Sequence, residues 1–213
     1  MINLITYNIP HRKTQDVVKE LLFRGYNKIR LIIIPYENRK SFKPIYSHRP
    51  SNPIDVSPYK LSELFKLDCV DYSKDMVFEN KTLIAGAGIL SQTGLINSHP
   101  GYLPNVRGLD ALKWAIYEGQ PIGVTTHLTS EEADSGYLIE RKIIPVYYED
   151  SFYELAMRVY ETEIKMLVDA IEKPIGEKLI NQHYQPHRRM SHNKEIKMMD
   201  NFNKFRINSN NKQ

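Results

Sequence analysis

An open, mostly parallel, twisted α/β sheet flanked by helices is the fold this sequence predicts, on the strength of three adjacent stretches. Ile2–Tyr7 is a short apolar run of strand character, residues 13–24 carry Val17, Val18, Leu21 and Leu22 at helical spacing before Gly25, and residues 28–34 form a second β-branched run. Strand, helix and strand at this separation make a right-handed parallel crossover unit. Sheets of that kind bind ligands beyond the carboxyl ends of their strands.

Later segments extend the pattern. Residues 76–78 and 82–85 are expected to continue the sheet, residues 109–118 form a helix ended by Gly119, residues 122–129 alternate as a strand, and residues 137–146 make the next. Ser151-Phe-Tyr-Glu154 has the form of a capping box and opens a helix running to about Ile171. Beyond it, residues 178–184 and the basic stretch that follows can add a strand and a short helix.

A chain of 213 residues suits one substantial core, and the expected organisation is a catalytic domain over 1–185 with a basic, partly disordered extension over 186–213. Apolar residues make up 41% and charged residues 25%, and no run nears the roughly 20 apolar residues that span a bilayer. The first residues lack the basic start and long apolar stretch of a secretory signal, and Cys69 is the single cysteine, so the cytoplasm is the expected compartment. The formal charge of +4 is uneven: from Pro186 onward seven Lys and Arg stand against two Asp and Glu, leaving 22 − 23, or −1, for the rest. Charge confined to a terminus reads as a solvated tail, so neither a nucleic acid nor a membrane is an expected partner.

The chemistry concentrates where a strand ends in a polar turn, Asn97-Ser-His-Pro-Gly-Tyr-Leu-Pro104, and in a later polar connection, Glu131-Glu-Ala-Asp-Ser-Gly136. Pro100 and Pro104 remove backbone donors and fix φ, which presents the preceding side chains at a rigid mouth. Each residue has a structural reading when taken singly: Asn97 capping a turn, His99 as a satisfied half-buried ring, Asp134 in an Asx-type turn. Together, an amide, an imidazole and a carboxylate suit acyl transfer to an amine, which needs an oxyanion stabilised and a proton removed. No zinc-ligand spacing is present.

Two other stretches invite a ligand. Ala85-Gly-Ala-Gly88 fails as a dinucleotide fingerprint, because Ser91 stands where the third glycine belongs. Prolines at 35, 44, 50, 53 and 58 are interleaved with Tyr36, Phe42, Tyr46, His48 and Arg49, which suit a nucleotide's base and phosphates, although a loop packed by its own aromatics explains them equally well. His48 and the remaining histidines, His11, His183, His187 and His192, have no evident partner in the sequence and read as surface residues.

Asn97-Ser-His99-Pro-Gly-Tyr-Leu-Pro104, then Arg107-Gly108, then Asp134-Ser-Gly136, resemble the folate-dependent formyltransferases over about residues 82–171. The resemblance implies a Rossmann-type formyltransferase sheet and a co-substrate, N10-formyltetrahydrofolate, without a metal. It assigns Asn97 and His99 to the oxyanion and Asp134 to orienting His99 and relaying the proton. It places Gly86, Ala87, Gly88, Ile89 and Leu90 against the reduced folate, with His127 either facing the folate or ending a strand. Tyr46, His48, Arg49, Tyr102 and Arg107 become candidates for the acceptor.

Departures from the family choose the acceptor. After the first strand this chain has Asn8-Ile-Pro-His-Arg-Lys-Thr14 in place of the glycine-rich phosphate loop of the purine enzymes. The stretch after Ile171 is shorter than the RNA-binding domain of the methionyl-tRNA enzymes. The resemblance is therefore closest to the sugar N-formyltransferases, which formylate the amine of a nucleotide-linked deoxysugar for bacterial surface polysaccharide such as O-antigen, commonly as homodimers. Glycinamide ribonucleotide formylation is the first alternative, a formyl-folate hydrolase a second, and a non-catalytic folate-binding module a third.

Overall fold

The computed structural model describes residues 1–37, 43–50, 53–78, 81–86, 93–180 and 185–210, with side chains to 206. Strands β1 (Ile2–Tyr7), β2 (Ile29–Ile34), β3 (Asp68–Asp71), β4 (Thr82–Ile84), β5 (Ile96–His99), β6 (Gly123–Thr129) and β7 (Gly136–Ile143) form one sheet in the order β3-β2-β1-β4-β5-β6-β7. The first five are parallel, and β6 and β7 continue the sheet antiparallel, strand to strand. The predicted fold class is the one observed.

Strand order locates the site. The chain builds outward from β1 through β2 to β3, then returns to lay β4 on the other side of β1. The two crossovers diverge there, opening a crevice beyond the carboxyl ends of β1 and β4. Tyr7, Gly86 and the end of β5 lie on that rim.

Among the described residues, five helices cover the faces. Helix α1 (Arg12–Phe23) buries Val17, Val18 and Leu21, as its spacing predicts, and α4 (Phe152–Asp169) packs against α1, β5 and β6. The capping box at its start is present: Ser151 Oγ accepts from Glu154 N at 3.2 Å while Ser151 N donates to Glu154 Oε2 at 2.7 Å. Helix α3 (Ala111–Glu118) ends on Gly119 at φ 69°, the expected left-handed cap. The core has one part between the sheet, α1 and α4, and another around α3 and the start of α4.

Two expectations fail for identifiable reasons. Residues 76–78 are not a strand; the edge strand is Asp68–Asp71, preceded by α2 (Pro58–Phe65). Pro58 reads as loop punctuation in the sequence, yet at the first helical position its missing donor is harmless, and Ser57 caps the helix by accepting from Lys60 N at 3.3 Å. The second failure is the basic tail. Helix α5 (His192–Asn210) docks on α3, burying Met198 and Phe202 beside Met190, and its Glu195 is fully buried in an ion pair with Lys113. A charge count conceals an apolar stripe at 198, 202 and 205, where i and i+4 neighbours share a face. The segment after 185 is thus packed onto the domain as far as it is described; its tip lies outside the described side chains.

Because Phe202 meets the Phe152 ring edge-on with centroids 6.0 Å apart, Phe202→Ala should destabilise the protein by about 3–5 kcal/mol. Urea denaturation checks this, and a solvated tail would show almost no loss.

Candidate active site

Register in the sheet brings the polar residues together. Asn97 and His99 are two apart on β5 and share a face, and antiparallel pairing sets Asn97 opposite His127 and His99 opposite Thr125. Ser98 and Thr126 turn to the other face, where their hydroxyls meet at 3.0 Å. The Asn97 amide nitrogen lies 3.3 Å from His127 Nε2, and His127 Nδ1 lies 2.9 Å from Ser135 O. A carbonyl can only accept, so Nδ1 carries the proton and Nε2 accepts from Asn97.

That chain of bonds fixes Asn97 with its carbonyl end and one amide hydrogen left for other partners. Burial holds the His127 ring neutral, pushing its pKa down to about 4, with Asp134 pulling the other way. His127 has no exposed surface and both nitrogens are engaged. It therefore orients Asn97 from within β6.

Asp134 does come to His99. Its Oδ1 lies 3.2 Å from His99 Nδ1, and its Oδ2 accepts from Gly108 N at 2.6 Å. His99 Nε2 lies 3.0 Å from Val106 O, so both ring nitrogens face acceptors, and both bonds form together only on a doubly protonated ring. Asp134 adopts φ 48°, and Gly136 follows at φ 116°, where an added Cβ would stand 1.9 Å from Leu128 O. Gly108 is as constrained, since a Cβ there would meet His187 O at 2.3 Å.

The other candidates divide. Arg107 is buried, donates to Ala133 O at 2.5 Å and approaches Glu132 at 3.5 Å, so it braces the Asp134 turn instead of reaching a substrate. Tyr102 is half-buried with the Arg141 guanidinium 5.2 Å from its ring centre. Tyr46 packs edge-on to Phe152, and the half-buried His48 ring, 4.0 Å from Asp110 Oδ1, is held well below its ordinary pKa by desolvation and then by Arg49. Tyr46 and His48 are thus both engaged with the domain, not with other aromatics of their own stretch. Phe42, His183, Ala87, Gly88, Ile89 and Leu90 lie outside the described residues. At Gly86 the close neighbour is the Tyr7 ring, 2.4 Å from where a Cβ would stand.

Arg49 is the member of that stretch that reaches the rim. Its guanidinium donates to Glu163 Oε2 at 2.8 Å, and Lys13 Nζ donates to Glu163 Oε1 at 2.6 Å while lying 3.5 Å from Ser98 O, between Asn97 and His99. Burial alone would raise the Glu163 carboxyl, but Arg49 and Lys13 outweigh it and hold it below the usual range. Two cations on one carboxylate leave a positive rim. His11, read as a surface residue, instead packs edge-on against Tyr7, bonds Thr14 Oγ1 at 2.9 Å, and is pushed down to about 4 by burial and then by Lys13. Lys13, Glu163 and His11 escape sequence reasoning because only tertiary packing joins residues so far apart.

Among the described residues no group of three or more His, Cys, Asp or Glu is placed to hold a metal, and no helix is long and apolar enough to cross a membrane. Residues 82–171 match the family model described as formyl transferase. Over that stretch the chain is similar to the formyl transferases. Among its relatives, methionyl-tRNA formyltransferase from Thermosynechococcus vestitus is 32% identical over 81 residues, 38% of this chain and 24% of that protein. Phosphoribosylglycinamide formyltransferase from Bacillus subtilis is 26% identical over 140 residues, 61% of this chain and 70% of that protein. This chain spans under half the length of several curated relatives it matches. Its fold is shared by an N-formyltransferase from Helicobacter canadensis, solved with folinic acid and dTDP-3-aminofucose, at a TM-score of 0.60 and 15% identity, covering 95% of this chain and 81% of that one.

Two tests follow from the histidines. His127 and His11 are both depressed to about 4 from 6.5, so the unfolded chain takes up their protons first as pH falls. Their contribution is fully present above pH 6.5 and is lost progressively toward pH 4, so the urea midpoint should fall across that window and fall less in His127→Gln. Separately, His127→Ala should lower kcat for formyl transfer by about 10²-fold, and adding Asn97→Ala should cost little more, because the first change already frees the amide. Additive losses in steady-state assays would show that the two act independently.

Proposed function

We propose that this protein is an N-formyltransferase that moves a formyl group from N10-formyltetrahydrofolate to the amine of a nucleotide-linked amino deoxysugar. The observation that carries the transfer chemistry is the joining of Asn97, His99 and Asp134 at the carboxyl end of β5. The folate would supply the formyl carbon, and Gly86, just past the end of β4, is the described residue of its expected rim. The attacking amine bonds to that carbon, its carbonyl oxygen becomes an oxyanion, and the carbon–nitrogen bond to the folate then breaks. Asn97 and His99 donate to the oxyanion, and Asp134 holds His99 and relays the amine's proton through water to the departing folate nitrogen. For His99 this requires the ring to exchange Val106 O for the substrate oxygen.

The acceptor class rests on the rim. The segment after β1 lacks glycines with which to cradle a phosphate on backbone donors, while Lys13 and Arg49 put cations there. A diphosphate-linked sugar fits such a rim, and the Helicobacter canadensis enzyme of the same fold was solved with one. Products of this kind serve bacterial surface polysaccharides, which implies cytoplasmic synthesis; a homodimer is the assembly the family resemblance favours. The Bacillus subtilis relative supports glycinamide ribonucleotide as the second acceptor to test.

Incubating the protein with formyl-folate and dTDP-, UDP- or GDP-linked amino sugars should yield a product heavier by about 28 mass units. Gain on glycinamide ribonucleotide alone would move the protein to purine synthesis, and formate release without any acceptor would make it a hydrolase. With the active sugar in hand, Arg49→Ala should raise its KM severalfold and leave KM for formyl-folate unchanged, with the effect shrinking at high salt. A change in the folate KM instead would reverse the placement of donor and acceptor.

A further inference from the structure

Behind the catalytic turn, α3, residues 185–191 and the start of α5 line an open cavity of about 580 Å³ whose lining includes none of Asn97, His99 and Asp134. Its charge is one-sided. Arg188 is exposed and has no carboxylate partner among the described residues, and Lys194 lies over the rings of Trp114 and Tyr117, at 4.6 Å and 5.6 Å, without an acid of its own. Arg189 reaches Asp110 only at 3.4 Å. The one acid in the wall, Glu118, is already met by His187 at 3.2 Å. The Asn105 and Gln120 side chains bond each other at 3.0 Å, so the unmet polar demand of the wall is cationic.

We propose that this cavity is a binding site for a diphosphate anion, either free pyrophosphate or the diphosphate of a nucleoside diphosphate. Three cations along one wall match a ligand with several separated anionic oxygens, and arginine forks suit phosphate oxygens in particular. The volume lies in the range of small-molecule sites and exceeds what a lone monovalent ion would fill. His187 stacks on Trp114 with centroids 4.4 Å apart and an interplanar angle of 9°, giving the site a rigid aromatic flank. The same His187 is wired to the active site: its N donates to Arg107 O and its O accepts from Leu109 N, both at 2.9 Å, while Gly108 between them donates to Asp134. A ligand that tightens residues 185–189 therefore bears on the chain that holds the catalytic carboxylate.

Trp114 is the only tryptophan of the chain, so its fluorescence reports on this cavity. Titrating the full-length protein with inorganic pyrophosphate, against potassium chloride at equal ionic strength, should give a saturable change. The change should persist in Arg49→Ala, because Arg49 does not line this cavity. In Arg188→Glu, an exposed position whose substitution should leave the urea midpoint in place, and in Lys194→Ala, Kd measured by equilibrium dialysis should rise at least tenfold. dTDP binding tenfold tighter than pyrophosphate would assign the ligand as a nucleotide, and equal affinities would assign the diphosphate group alone. No saturation beyond the chloride control, or an unchanged Kd in both cavity variants, overturns the proposal.

Discussion

One carboxylate, that of Asp134, joins the parts of the molecule on which the site depends. It accepts the Gly108 backbone proton with one oxygen and faces His99 with the other, so the turn after β5 and the turn between β6 and β7 are held to each other. A charge-assisted bond of this kind contributes about 1.5–3 kcal/mol, enough to fix a loop whose backbone runs through left-handed conformations. Its supports are structural residues. Arg107 clamps Ala133 from beneath, Gly136 lets the chain pass Leu128, and Gly108 lets His187 approach.

A second constraint acts from the opposite side of the crevice. Glu163 is fully buried on α4, and such a charge is tolerated only when paired, which Lys13 from α1 and Arg49 from the proline-rich stretch accomplish. The arrangement pins that stretch to the domain and leaves its cation at the rim. Under the proposed function, recognition of an anionic acceptor and the anchoring of this segment thus depend on the same ion pairs.

The legible parts of the sequence were those that local rules control. The opening strand-helix-strand unit, the Ser151 capping box and the Gly119 cap follow from periodicity and capping chemistry, and Asn97, His99 and Asp134 stood out because a motif places them near prolines and a glycine. Long-range register was not legible: nothing in the sequence says that His127 lies opposite Asn97 and serves it, or that Arg107 turns inward. Charge statistics misled at the C-terminus, where Lys and Arg on one face of α5 hide Met198 and Phe202 on the other. The strand at Asp68–Asp71 was missed because a four-residue edge strand flanked by acids carries little apolar signal.

Asp134→Asn tests the account at its centre, because the amide oxygen can still accept from Gly108 while the negative charge facing His99 is lost. Single-turnover formyl transfer to the active amino sugar, measured beside a urea unfolding curve of the same variant, separates chemistry from folding. A fall in rate of about 10²-fold or more with stability within about 1 kcal/mol of the parent is the predicted result. A rate close to the parent's in a folded variant would contradict the account, since it would reduce Asp134 to a structural brace.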